Sequence, residues 1–199
     1  MKNIIFLAIC ILSFLFCPLL EKSAKGDIDW TNKTVDTLIF FNNTISSYLL
    51  KPKYKRLAVP FSVKEKGLLI KGETYDYPMN SINGRYYTVA EHRDKHGHDY
   101  KLIIYNIEGD NDTEILVTQI NAYRLGVPVD ALVLEMNFTF ETKCSARYTV
   151  NDSVIKIDRH EINNILYAED GAIIGTKAIP DTIVNHSIYK IRNGLFIKE

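Results

Sequence analysis

Cysteine is scarce in this chain, and unevenly placed. Of three cysteines in 199 residues, Cys10 and Cys17 lie near the start, and Cys144 stands alone after them. If the first 26 residues are removed, no intramolecular disulfide can form, so stability must come from a buried core. The remaining 173 residues, Asp27 to Glu199, suffice for an ordinary one and predict a single domain over 27–199.

An excess of either charge is also missing. The chain carries 24 Lys+Arg against 24 Asp+Glu; without residues 1–26, which hold Lys2, Lys22, Lys25 and Glu21, the balance is 21 against 23. A chain near −2 has no field to gather nucleic acid or an anionic membrane, which argues against a nucleic-acid partner. Lys51-Pro52-Lys53-Tyr54-Lys55-Arg56 is the one basic stretch, and it reads as a solvated linker.

Recognisable catalytic motifs are absent as well. There is no Gly-x-Ser-x-Gly elbow, phosphate loop or dinucleotide glycine pattern, and no cofactor is implied. His160-Glu161-Ile162-Asn163-Asn164 opens like a zinc-protease helix, but Asn164 stands where the second histidine must be, one turn on. Asp110-Asn111-Asp112-Thr113-Glu114 spaces carboxylates as a calcium loop does, yet Ile115 replaces the glycine needed for the sharp turn. No internal repeat is visible.

What is present begins with an export pattern. Lys2 supplies a positive charge, Ile4 to Leu20 is an almost unbroken apolar run, and Ala24-Lys25-Gly26 offers small residues around a cleavage point. Residues 1–26 therefore predict an export signal, with the folded part in the periplasm, at the cell surface or outside the cell. The seventeen-residue run reaches the lower edge of a membrane span, so a retained N-terminal anchor is a second fate and the only predicted membrane contact. Lipidation at Cys17 is a third, opposed by Phe16 where a small residue belongs. The lysine- and isoleucine-rich composition favours a bacterial source, in which the six Asn-x-Ser/Thr sequons would be silent.

From Arg85 onward, short segments rich in aromatic and β-branched residues alternate with polar turns: Arg85–Ala90, Asp99–Ile107, Thr113–Asn121, Val129–Met136, Phe138–Phe140, Ala146–Val150, Ser153–Asp158, Thr182–Ile191 and Leu195–Lys198. The turns fall at Gly126–Pro128, Asn151–Asp152 and Arg192–Gly194. The expected fold is mainly β, an antiparallel meander forming a sandwich, small barrel or partial propeller. One N-terminal helix is expected over Asp36–Leu50, from the spacing of Leu38, Phe41, Ile45, Tyr48 and Leu49, with two strands joined at Asn42–Asn43 as the competing reading. Leu57–Val63 and Gly67–Lys71 read as short strands.

Three sets of side chains remain as candidates for chemistry. His92, His96 and His98, flanked by Glu91, Asp94 and Asp99, are candidate metal ligands, though Gly97 and the charge density mark a loop. Cys144, in strand-like sequence, reads as a small buried hydrophobe. Tyr75, Tyr77, Tyr86, Tyr87, Tyr100 and Tyr123 lie near expected loops and strand ends, where tyrosine either fills a sheet face or contacts a partner. The expected function is therefore a non-enzymatic envelope or secreted β-domain binding a protein or glycan. Two alternatives are a metal-dependent enzyme or metal-binding protein at His92–His98, and a structural subunit of a surface assembly whose strand edges pair with neighbours.

Overall fold

In a computed structural model the chain is mainly β, 65 % strand against 8 % helix, as the strand-turn-strand spacing predicts. Residues 27–43, 48–79, 84–110 and 113–199 are described; segment 1–26, with the export pattern and Cys17, lies outside them. No helix among the described residues is long and apolar enough to cross a membrane.

The N-terminal part is a series of short elements: β1 (Asp29–Thr31), α1 (Thr37–Phe40), β2 (Phe41–Asn43), β3 (Tyr48–Leu50), α2 (Pro52–Leu57), β4 (Val59–Pro60), α3 (Val63–Lys66) and β5 (Ile70–Lys71). The helix expected over Asp36–Leu50 is thus only the four residues of α1, followed by an antiparallel pair in which Phe41 faces Leu50. The competing reading is right that two strands pair, because Phe41 and Leu50 both enter the core and a continuous helix could not align them so, but Asn42 and Asn43 belong to β2 and do not join the strands. The basic linker is a short helix: Pro52 occupies its first turn, where the missing N–H costs nothing, and no residue of it is buried. α3 carries a capping box, with Ser62 Oγ accepting from Glu65 N and Glu65 Oε2 accepting from Ser62 N.

The meander follows as β6 (Arg85–Arg93), β7 (His98–Glu108), β8 (Glu114–Arg124), β9 (Val127–Thr139), β10 (Thr142–Asn151), β11 (Val154–Tyr167), β12 (Ile173–Arg192) and β13 (Leu195–Lys198), each antiparallel to the next. Leu125–Gly126 and Asn193–Gly194 turn with both residues at positive φ, the geometry that closes a two-residue hairpin without splaying its strands. At Asn151 the side-chain Oδ1 accepts from Ser153 N and Val154 N, a side-chain mimic of a turn.

One junction decides the architecture. β9 and β10 pair only at Lys143–Thr139 and Cys144–Phe138. Beyond it β10 runs beside β1, while β9 takes β5 as a parallel neighbour. The meander therefore folds over into two layers without closing into a barrel. Between the layers pack Leu102, Ile104, Ile120, Leu132 and Leu134 from one side, and Tyr148, Val150, Ile155, Ile157 and Phe196 from the other, with Trp30. The opposite face of β7–β9 is also covered: Ile103, Tyr105, Val117, Val133 and Phe138 lie under residues 61–79. The free margin of the second layer is clasped back to the first. Asp130 Oδ2 accepts from Phe196 N at 2.7 Å and from Lys71 Nζ at 2.5 Å, and Lys71 Nζ also donates to Phe196 O.

Two buried carboxyls respond to pH in opposite directions. Glu65 ends a chain of polar side chains beneath residues 61–67. Tyr86 and Tyr123 donate to Glu65 Oε1, Asn121 donates to Tyr123 Oη, Gln119 to Asn121, and Tyr105 to Gln119. Burial alone would raise the Glu65 pKa, but the hydrogen bonds from Tyr123, Ser62 and Tyr86 hold it below the ordinary 4.5. Glu135 lies between the layers, accepting from Ala146 N and Asn32 Nδ2. Burial dominates there and pushes its carboxyl up to about 7, against hydrogen bonds from Ala146, Asn137 and Asn32. Thr118, its partner across β8–β9, and nearby Tyr148 have hydroxyls without a hydrogen-bond partner among the described residues.

The linkage has opposite sign at the two sites. Glu65, with its folded pKa depressed, stabilises above pH 4.5, and that contribution disappears as pH falls through its lower folded value. Glu135, with its folded pKa raised, contributes fully below pH 4.5 and loses that contribution as pH rises through about 7. Thermal unfolding of Glu135→Gln between pH 4 and 8 should therefore show a stability gain over the parent that grows with pH, by roughly 3 kcal/mol in total. Glu65→Gln should be less stable than the parent at pH 7, with the gap narrowing below pH 4.5. Parallel pH profiles for parent and variants would contradict both assignments.

Candidate functional site

The histidine-rich segment forms the β6–β7 hairpin. Asp94 organises the turn: its Oδ1 accepts from the backbone N–H of His96 and His98, and its Oδ2 faces His98 Nδ1 at 3.0 Å and accepts from Tyr100 Oη. His98 is buried, its ring beneath Gly194, where an added Cβ would come within 2.8 Å of His98 Cδ2. His92 sits back on β6 opposite Tyr100, its Nε2 3.9 Å from Asp152 Oδ1, and His96 is exposed in the turn. Among the described residues no group of three or more His, Cys, Asp or Glu side chains is arranged to hold a metal ion, this trio included. His98 is spent instead on fixing the hairpin and on packing under the β12–β13 turn.

The other sequence candidates are distributed by burial. His160 lies on β11, between Ser145 and Val184 on the flanking strands, so the discarded zinc motif is a strand. Asn111 and Asp112, of the calcium-like turn, lie outside the described residues. Tyr86, Tyr100 and Tyr123 are buried, whereas Tyr75, Tyr77 and Tyr87 are half-buried. Cys144 is buried beside Tyr75; burial raises its thiol to about 11, with Glu161 and Glu73 adding to that and the Tyr75 hydrogen bond opposing it.

A cleft of about 470 Å³ opens over this region, lined by Tyr75, Tyr77, Phe138 and Phe140 with Asp110, Glu141 and Glu161. The rings hold one another tilted or edge-on, Tyr75 to Phe138 at 5.3 Å and Phe138 to Phe140 at 5.2 Å. Tyr77 donates to Asp110 and Tyr167 to Glu141, so two of the three carboxylates are tied to the wall. A larger cleft of about 940 Å³ carries both signs of charge, Lys55, Arg56 and Arg85 against Glu108, Asp110 and Glu114.

The most conspicuous unsatisfied feature is a strand edge that motif reading cannot register. β11 and β12 pair from Val154–Lys190 out to Tyr167–Ile173, but β13 covers β12 only at Tyr189–Arg192. Among the described residues no strand lies against the outer margin of β12 from 173 to 188. Pairing with β11 jumps from Asn163–Asp181 to Ile165–Thr176, so residues 177–180 form an irregularity, bridged by Lys177 Nζ to Asp181 Oδ2. The hairpin also exposes aliphatic side chains, Ile179 at 83 %, Ile174 at 61 % and Ile183 at 56 %. A regular backbone ladder with open donors and acceptors is a template for another strand.

The Cys144 environment predicts a measurable inertness. Iodoacetamide at pH 8 should leave Cys144 unmodified in the folded protein and label it after denaturation, as read by peptide mass spectrometry. Rapid labelling of the native protein would contradict both the burial and the raised thiol pKa. Comparison with protein-family models, with characterised proteins and with solved structures finds no match to this chain.

Proposed function

We propose that the chain is an exported, non-enzymatic β-domain of the cell envelope or extracellular space that binds a protein partner by strand addition to β12. The observation that carries this reading is the regular part of the β12 edge against which no strand lies among the described residues. Strand addition gives affinity through main-chain hydrogen bonds and specificity through alternate side chains, which fits an edge flanked by Ile183, Val184 and Ile188. Edges not meant to pair are usually protected by lysine, proline or a covering loop. Thr182-Ile-Val-Asn-His-Ser-Ile188 contains none of the charged or proline guards. The export part of the reading is supported by the pattern in residues 1–26 alone.

A second reading is favoured by the aromatic cleft. Tyr75, Tyr77 and Phe140 line the cleft with aromatic rings of the kind that stack on the C–H side of a sugar, and Glu161 adds an acceptor for hydroxyls, so a glycan is the alternative ligand.

Two measurements test the first reading. The protein recovered outside the cytosol should begin at Asp27 by mass spectrometry, whereas intact Met1 in a cytosolic fraction would overturn export. A photo-crosslinking residue at Ile183, in the producing cell, should trap a polypeptide that the same residue at Thr149 does not; equal capture at both sites would sink the edge reading. For the glycan alternative, aromatic NMR signals of Tyr75 and Tyr77 should shift on sugar titration and fail to do so in Glu161→Ala.

A further inference from the structure

The free ladder on β12 is short and symmetric, and its limits identify what fits it. Glu199 N donates to Ile188 O from the β13 side, while Ile191 N donates to Ser153 O on the opposite side. Because strand residues alternate in the direction of their backbone groups, Thr182, Val184 and His186 aim N–H and C=O outward, and Ile183, Asn185 and Ser187 aim theirs at β11. The ladder ends at Ile188, where β13 takes over. At its other end Pro180 lacks an N–H, and residues 177–180 leave the pairing register. The open stretch is therefore three residues, six groups, centred on Val184.

We propose that a second copy of this chain occupies that edge, antiparallel, with a two-fold axis at Val184; this rests on the strand-addition reading above. The axis sets Val184 against Val184 of the other copy, and Thr182 against its His186, so all six outward groups are paired and none is left over. Continuing the register brings Pro180 of one copy opposite Ile188 of the other, whose carbonyl is already engaged by Glu199. A regular strand running on past this point would meet β13. A second copy does not, because its own irregularity over 177–180 begins there.

Side chains agree with the register. Val184 packs on its own counterpart, and Ile183 flanks Asn185 of the partner on the opposite face. No Lys, Arg, Asp or Glu occurs between Thr182 and Ile188, so like charges do not face each other across the axis. His186 keeps its contact with Asp158, Nδ1 to Oδ1 at 2.7 Å, on the outer face of the pairing.

Sedimentation velocity of the exported protein over a range of concentrations tests this, together with amide exchange at Thr182, Val184 and His186. A reversible dimer is expected, with those three amides becoming protected as the dimer fills. Val184→Pro removes the central outward N–H without touching the β11 ladder, so it should stay folded and become monomeric. Should that variant fail to fold, Val184→Lys places two like charges on the axis and should weaken the dimer while leaving the melting temperature of the monomer unchanged. An Ile183→Cys, Asn185→Cys double variant should form an intermolecular disulfide under mild oxidation.

A dimer undiminished in Val184→Pro and Val184→Lys would overturn the proposal, since it would be held elsewhere. A monomer at all concentrations whose three amides are nonetheless protected would also overturn it, placing another segment of the same chain on the edge. A monomer with unprotected amides whose Ile183 position still crosslinks a foreign polypeptide would refute the second copy and leave strand addition standing. Without that crosslink, both readings fail.

Discussion

Strands β7, β8 and β9 are covered on both faces, and the rest of the molecule is arranged around that constraint. A sheet strand normally presents one face to a core and one to water. Here the second layer β10–β13 lies on one face and residues 61–79 on the other, so every residue from Ile115 to Tyr123 is buried. Double coverage obliges the sheet to fold over at the β9–β10 junction, because a flat sheet could not cover its own centre. It also makes residues 61–79 indispensable, since they cover the other face.

Burial on both sides forces the polar groups of these strands into internal partnerships. Gln119 and Asn121, in the middle of β8, have no route to solvent and are satisfied by Tyr105, Tyr123 and through them Glu65. That chain fixes α3 against the sheet with a specificity apolar contact alone would lack. Glu135 shows the reverse situation. Burial there outweighs the hydrogen bonds from Ala146, Asn137 and Asn32, so its carboxyl is held nearer its neutral form. The Asp130–Lys71–Phe196 clasp extends the same logic to the sheet margin, where a buried carboxylate ties β13 to the parallel pair β5–β9, with which it shares no ladder.

The periphery obeys different rules. Beyond the core-facing residues Ile155, Ile157 and Tyr189, the β11–β12 hairpin projects with little packed beneath it, and its strands persist through pairing with each other. This contrast explains which features were legible. Apolar alternation from Arg85 to Asp158 reported burial, so those strands stand close to where the residues put them, except that Phe138 and Thr139 end β9 and form no strand of their own. The stretch from Arg159 to Asp181 carries little alternation because it has little to bury, and so its long strands left no pattern to read. The Asp36–Leu50 expectation failed for a related reason: Phe41 and Leu50 are core residues in either geometry, and spacing alone could not say that they meet by pairing.

The histidines show the same limit at the level of a site. Closeness in sequence brought His92, His96 and His98 together on paper, whereas a hairpin turn directs one into the interior, one along the strand and one to solvent. Local interactions and composition account for the β class, the approximate turn positions, the scarcity of cysteine, the balanced charge and the export pattern of the first residues. Long-range packing set where the meander folds over, which carboxyls are buried, and that β13 stops short, leaving Thr182 to His186 without a neighbouring strand among the described residues. Those outcomes depend on contacts between residues far apart in the chain, whose partners no local pattern encodes.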